Sequence, residues 1–153
     1  MKQFFSPIIF LPCLFALTSC GGVKNEEVSQ SEKQHTLLDY EDVSDYHIFW
    51  QDIFKQELDN YLVYIYSKKC SHCNAVKEDV ISYALYVKNV FFIEFCDDVV
   101  VSSDITKTIG ASRIEDLSIL GTPTLIAIED YIVKENIAGE SAVLAFINGS
   151  SSD

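Results

Sequence analysis

Cys70 and Cys73 stand three residues apart, directly before a helix-like run, and of all residues in this chain they are best suited to chemistry. Two cysteines at this spacing on a helical turn share one face and can close a disulfide. Cys70 comes first, where free backbone N–H groups and the helix dipole favour negative charge. We therefore expect a stabilised Cys70 thiolate that attacks or is attacked. Cys73, one turn further in, would resolve the mixed disulfide formed by Cys70.

Positive charge around the pair should act in the same direction. Lys68 and Lys69 precede Cys70, and His72 lies between the two cysteines. A stabilised thiolate favours the reduced form of a disulfide pair, so such a pair tends to oxidise other thiols. We expect His72 to tune the pKa of Cys70 and thereby the direction of electron flow.

Two other interpretations of these residues remain open at this point. A structural disulfide would close so short a loop that it would contribute little to stability. Zinc could bind Cys70, His72 and Cys73, but a structural zinc site takes four ligands, and His35 and His47 lie isolated upstream. The sequence favours redox chemistry, with no metal and no cofactor other than the Cys70–Cys73 disulfide itself.

The elements around the pair are predicted from the apolar pattern. Residues 61–66 form a continuous apolar and aromatic run, typical of a strand buried on both faces. Residues 75–87 follow as an amphipathic helix, and residues 90–95 as a second buried strand. Strand, helix and strand in this order imply a parallel crossover, which brings the Cys70 loop and the end of the second strand to one edge of the sheet.

The flanking segments complete a small domain. An upstream amphipathic helix is predicted to begin at Ser44 and to continue to Leu58. Two short helices are expected between residues 99 and 120, followed by a hairpin of strands 124–128 and 131–137. A terminal helix is predicted at residues 140–147.

This order of elements resembles the thioredoxin fold over residues 42–148. The most specific signals are the segment 66–73 (YSKKCSHC) and the segment 121–124 (GTPT), about 50 residues later. The resemblance implies an α/β fold of the thioredoxin-like class, with a central mixed sheet of about four strands flanked by helices. It also implies a thiol-disulfide oxidoreductase.

The same resemblance assigns roles to the second segment and shows one departure. It implies that Pro123 is cis and packs beside the disulfide, and that Thr122 offers backbone hydrogen bonds to an extended substrate. Thioredoxins often carry a buried acid that serves the second cysteine as a base, and Tyr64 stands at that position here. Proton transfer at Cys73 would then depend on water, on Glu94 or on no specific group.

Cys96 follows the second predicted strand and has two interpretations. It lies at the same edge as Cys70, so it could exchange with the pair. A lone cysteine after a buried run is more often a small core residue, and we favour that interpretation.

The first residues resemble an export signal. Residues 1–19 have a basic start, an apolar core and small residues before a cysteine, and residues 17–21 (LTSCG) resemble the bacterial lipoprotein box. This resemblance implies lipidation of Cys20 and a location outside the cytoplasm, anchored to the bacterial cell membrane. We expect a tether over residues 20–40, the thioredoxin-like domain over 41–149 and a short tail over 150–153.

The net charge of the chain limits the classes of partner that it can bind. The chain of 153 residues carries a formal net charge of −12, which makes nucleic acid an unfavourable partner. We expect a monomer that exchanges disulfides with exported proteins or peptides, leans towards oxidation, touches the membrane only by its lipid, and is reset by a membrane or extracytoplasmic redox partner. The alternative is a non-catalytic binding lipoprotein of the same fold, which holds an exported peptide or a secretion machine.

Overall fold

The sheet is built around β1 (Asn60–Tyr66), which is buried along its whole length after the first residue. In the computed structural model, which describes residues 37–150, β1 pairs in parallel with β2 (Val90–Glu94). On its other side it pairs antiparallel with β3 (Thr124–Glu129), which in turn pairs with β4 (Ile132–Ala138). The strand order is therefore β2-β1-β3-β4. This is the mixed four-stranded sheet that the sequence predicts.

Both α-helices pack on one face of this sheet. α1 (Ser71–Val87) follows β1, and α2 (Glu140–Ser150) follows β4. Because side chains alternate along a strand, every second residue of β1 points to this face. The cluster beneath the helices contains Leu62, Tyr64, Tyr66, Phe92, Cys73, Val76, Val80, Ile81, Val143 and Ile147.

The opposite face is covered by irregular chain. The alternate residues of β1, including Val63 and Ile65, pack there against Trp50, Ile53, Leu117 and Ile119. The two helices expected between residues 99 and 120 are reduced to single 3-10 turns, Thr106–Thr108 and Ile114–Asp116. A parallel bridge between Val101 and Ile119 closes this segment on itself.

The predicted helix from Ser44 to Leu58 is wrong. A 3-10 helix spans Tyr40–Tyr46 instead, with Asp39 as its N-cap, and a second short turn spans Trp50–Asp52. Between them the chain runs alongside β2, where the Ile48 N–H donates to the Phe92 carbonyl at 2.9 Å. The first turn packs on the helix-covered face and the second on the opposite face. A single continuous helix could not pack against both faces of the sheet.

The remaining elements follow the predicted order. The hairpin between β3 and β4 turns through Asp130 and Tyr131, whose φ angles of 50° and 61° fit the tight turn that matches strand twist. The topology is that of the thioredoxin-like class, as predicted.

None of the helices within residues 37–150 is long and apolar enough to cross a bilayer. The signal sequence, Cys20 and residues 151–153 of the tail lie outside the described residues, as does the tether apart from its end at residues 37–40.

The arrangement at residues 49–53 predicts a clear difference between two neighbouring apolar residues. A helix from Ser44 would place Phe49 and Ile53 on one stripe, whereas Phe49 is 77% exposed and Ile53 fully buried. We expect Ile53→Ala to lower the free energy of unfolding by about 2–5 kcal/mol. Phe49→Ala should change it by less than about 0.5 kcal/mol. Urea unfolding measures both, and equal losses would contradict the structure.

Candidate active site

Cys70 is the N-cap of α1, as its position in the sequence predicts. Its Sγ accepts a hydrogen bond from the Cys73 backbone N–H at 3.4 Å, and its carbonyl accepts from the Asn74 N–H at 3.1 Å. Cys70 is partly buried, whereas Cys73 is completely buried, and both are free thiols. The first sulfur is thus open to an incoming group, and the second lies behind it.

The loop before β3 meets Cys70 from the other side. The bond between Thr122 and Pro123 is cis, and the Cys70 thiol donates to the Thr122 carbonyl across 3.3 Å. Pro123 is buried, and its carbonyl accepts from the Gly139 N–H at 2.8 Å. Gly139 has a φ of +94°, a conformation that favours glycine, and it leads directly into α2. The structure therefore brings together Cys70, Cys73, Thr122 and Pro123.

The surroundings of Cys70 lower the pKa of its thiol. Partial burial works in the opposite direction, but hydrogen bonds from the Cys73 thiol and from the Cys73 N–H outweigh it, with further contributions from the Thr122 side chain and the His72 N–H. Hydrogen bonds to a thiolate favour the charged form. Cys70 is therefore the better nucleophile and the better leaving group of the pair.

Cys73 has the opposite character. Burial raises the pKa of its thiol to about 11. Glu94, which the sequence left open as a base for this thiol, is exposed and forms an ion pair with Lys68 at 3.5 Å. Tyr64, at the position where the resemblance expects an acid, is completely buried.

His72 reaches the start of α2. Its Nδ1–H donates to Oε2 of Glu140 at 2.9 Å, and the His72 side chain is largely exposed whereas that of Glu140 is partly buried. This hydrogen bond and the charge of Glu140 raise the pKa of His72, and the Cys70 thiolate adds a smaller contribution. Sequence reasoning missed Glu140, because a pairing across 68 residues leaves no local pattern.

The two lysines before Cys70 play different parts. Lys68 lies within 3.7 Å of Glu41 and 3.5 Å of Glu94, so much of its charge is balanced by carboxylates. Lys69 lines a hollow beside Cys70 together with Phe95, Val101 and Thr122. Phe95 and Val101 are 40% and 53% exposed, which gives this side of Cys70 an apolar surface.

Cys96 is exposed, so its interpretation as a core residue is wrong. It follows the last residue of β2 by two positions, where the buried run has already ended.

Within residues 37–150, no three His, Cys, Asp or Glu side chains are grouped in a way that could hold a metal ion. The site as described is suited to thiol-disulfide exchange at Cys70.

The contrast between the two thiols predicts selective alkylation. With the pKa of Cys70 below its ordinary value and that of Cys73 at about 11, iodoacetamide at pH 7 should modify Cys70 at least about a hundredfold faster. The Cys70 rate should rise with pH and level off at a lower pH than that of a free cysteine. Peptide mass spectrometry measures both sites, and equal rates would contradict the assignment.

Comparisons with known proteins add only resemblances of structure. The sequence matches no protein-family model and no curated protein. The structure is similar to thioredoxin f2 of Chlamydomonas reinhardtii (14% identity, TM-score 0.43, 70% of this chain and 96% of that one). It is also similar to spinach chloroplast thioredoxin f (17%, 0.46, 69% and 85%) and to thioredoxin of Aeropyrum pernix (15%, 0.46, 68% and 82%).

At such identities and TM-scores, the fold is assigned from the chain's own features. These are the strand order β2-β1-β3-β4, the cysteine pair at the start of α1, and the cis bond before Pro123. With these features, the chain is a protein of the thioredoxin-like fold.

Proposed function

We propose that the chain is a thiol-disulfide oxidoreductase, anchored outside the cytoplasm by lipid on Cys20, that exchanges disulfides with exported proteins or peptides. One observation carries the proposal. Cys70 has a thiol of lowered pKa at the start of α1, hydrogen-bonded to the carbonyl before a cis proline, with buried Cys73 behind it. This arrangement presents one reactive sulfur and protects the other.

The oxidising reaction would run in two exchanges. A substrate thiolate attacks Sγ of Cys70, the Cys70–Cys73 bond breaks, and Cys73 leaves with the electron pair. A second substrate thiolate then attacks the substrate sulfur of the mixed disulfide, and Cys70 leaves as a thiolate. The substrate loses two electrons and two protons, and the cysteine pair gains the electrons. A membrane or extracytoplasmic partner that carries a disulfide would take them and reset the pair.

The preference for oxidation is supported by the pKa of Cys70. A lowered pKa stabilises the thiolate, which favours the reduced pair and so makes its disulfide a stronger oxidant. The raised pKa of His72 extends the pH range in which this residue carries positive charge near Cys70, which acts in the same direction. The opposing charge of Glu140 limits this effect.

Thr122 and the apolar hollow support binding of an extended peptide. Thr122 precedes β3 and uses its carbonyl for the Cys70 thiol in the reduced state. When Cys70 is bound in a disulfide it has no proton to donate, so this carbonyl becomes available to a substrate N–H. Phe95 and Val101 would contact apolar side chains next to the substrate cysteine.

Trapping separates an enzyme from a binding protein of the same fold. In Cys73→Ala the chain has no second cysteine behind Cys70 to attack a mixed disulfide, so we expect substrates whose disulfides the Cys70 thiolate has attacked to accumulate on Cys70 in reducible adducts. Cys70→Ala and Cys70→Ala/Cys73→Ala should lose these adducts, and any that remain on the exposed Cys96 are identified by peptide mass spectrometry. Non-reducing gels and mass spectrometry of extracytoplasmic extracts read the result. Capture that persists in the double variant and resists reduction would favour the binding protein.

The direction of electron flow is measured by the reduction potential. Against glutathione buffers we expect the Cys70–Cys73 couple to be less negative than the value of about −270 mV for thioredoxin. His72→Ala should move the potential to a more negative value, because it removes positive charge near the Cys70 thiolate. A wild-type value at or below −270 mV would contradict the oxidant.

A further inference from the structure

Two tyrosine hydroxyls, those of Tyr40 and Tyr64, lie in the same buried cluster as Cys73. Tyr64 is completely buried and Tyr40 is 2% exposed, and within residues 37–150 neither hydroxyl makes a well-formed hydrogen bond, although the two hydroxyls lie close enough to shift each other's pKa. A buried donor without a partner costs free energy, so such groups in native proteins call for an explanation. The hydroxyl of Tyr66, in the same cluster, is already bonded to Nε2 of His47 at 2.8 Å.

The fold brings these hydroxyls to the side of the sheet that holds Cys73. Alternation along β1 directs Tyr64 to the face covered by α1, and Cys73 belongs to the same buried cluster. The ring of Tyr40 stacks on Tyr66 with centroids 3.6 Å apart, and the rings of Tyr64 and Tyr66 lie parallel at 6.1 Å. The aromatic stack thus fixes both hydroxyls.

Charged groups around this cluster are confined to its rim. No Asp or Glu is buried within residues 37–150. Lys77 of α1 forms an ion pair with Asp39 at 3.2 Å, and its Nζ lies 6.0 Å from the centroid of the Tyr40 ring. Burial is the main cause that raises the pKa of Tyr64, the neighbouring Tyr40 comes next, and the thiolates of Cys73 and Cys70 add to it. The phenol therefore stays protonated whenever Cys73 is ionised.

We propose that the hydroxyl of Tyr64, with Tyr40 beside it, donates a hydrogen bond to the Cys73 thiolate that forms when the disulfide opens. The inference rests on the proposed function and assigns a group to its buried step. When an incoming thiolate bonds to Cys70, the Cys73 sulfur keeps the electron pair of the broken bond in an apolar environment. Tyr64 stabilises that charge without giving up its proton, and solvent later supplies the proton that neutralises Cys73.

Tyr64→Phe tests the inference in the reduced full chain. The pKa of Cys73, followed by its ¹³Cβ chemical shift, should rise, because a hydrogen bond to the charged form is lost. Release of glutathione from a mixed disulfide on Cys70 should slow by about tenfold at fixed pH, since less Cys73 is ionised. The melting temperature should stay the same or increase, because an unpaired hydroxyl is removed.

Tyr61→Phe is the matched control. Tyr61 is also a buried tyrosine of β1, but it packs on the opposite face, where its hydroxyl donates to the Ile53 carbonyl at 2.8 Å. Its loss should lower the melting temperature and leave the Cys73 titration unchanged. The two variants therefore separate an effect on the thiolate from an effect on the fold.

Two outcomes would overturn the inference. An unchanged Cys73 titration in Tyr64→Phe would show that the hydroxyl does not reach the thiolate. A loss of stability would show that the hydroxyl is already paired in the thiol form. The titration needs no substrate, so it gives an answer even where trapping on Cys70 fails. Trapping in Cys73→Ala likewise tests the proposed function whatever Tyr64 does.

Discussion

The burial of β1 on both faces is the constraint on which the site depends. β1 occupies an inner position of the sheet, and the turn at residues 67–70 follows its carboxyl end. Cys70 therefore lies where the carboxyl end of β1 leaves the sheet. β3 runs antiparallel beside it, so β3 begins where β1 ends, with Thr124 opposite Ile65. The loop with Thr122 and Pro123 therefore meets Cys70 although 52 residues separate Cys70 from Thr122.

The chemistry of the pair arises from the unequal surroundings of two identical side chains. Cys70 lies at a helix start, where backbone donors offset partial burial, and Cys73 lies one turn deeper, where burial dominates. The pKa values move in opposite directions, and in the proposed function this difference makes Cys70 the sulfur that meets the substrate. The pair acts as a unit, since the Cys73 N–H and thiol are themselves the main donors to Cys70.

Local pattern was enough to predict the sheet, α1, the hairpin and the cysteine pair, because each is set by a short run of apolar residues or a turn. The prediction of a helix beginning at Ser44 was wrong because periodicity shows which residues are apolar, but it does not show which face of the sheet each of them covers. The interpretation of Cys96 as a core residue was wrong for a related reason, since the sequence does not mark the residue at which a buried strand reaches the surface. The pairing of His72 with Glu140 depends on how α1 and β4 are placed, which short-range patterns do not record.

Tyr64 stands where the resemblance expects an acid, and this difference bears on proton transfer at Cys73. A buried carboxylate can accept the Cys73 proton, which helps Cys73 attack a mixed disulfide, but its own charge is costly in an apolar cluster. A neutral phenol takes up no proton, and in the proposed role the Tyr64 hydroxyl donates to the Cys73 thiolate. Because the same thiolate takes part when the disulfide opens and when it closes, this hydrogen bond would assist both steps, and deprotonation of Cys73 would depend on water. The proposed hydrogen bond would therefore ease exchange at Cys73 without setting its direction, which the proposed function derives from the lowered pKa of Cys70.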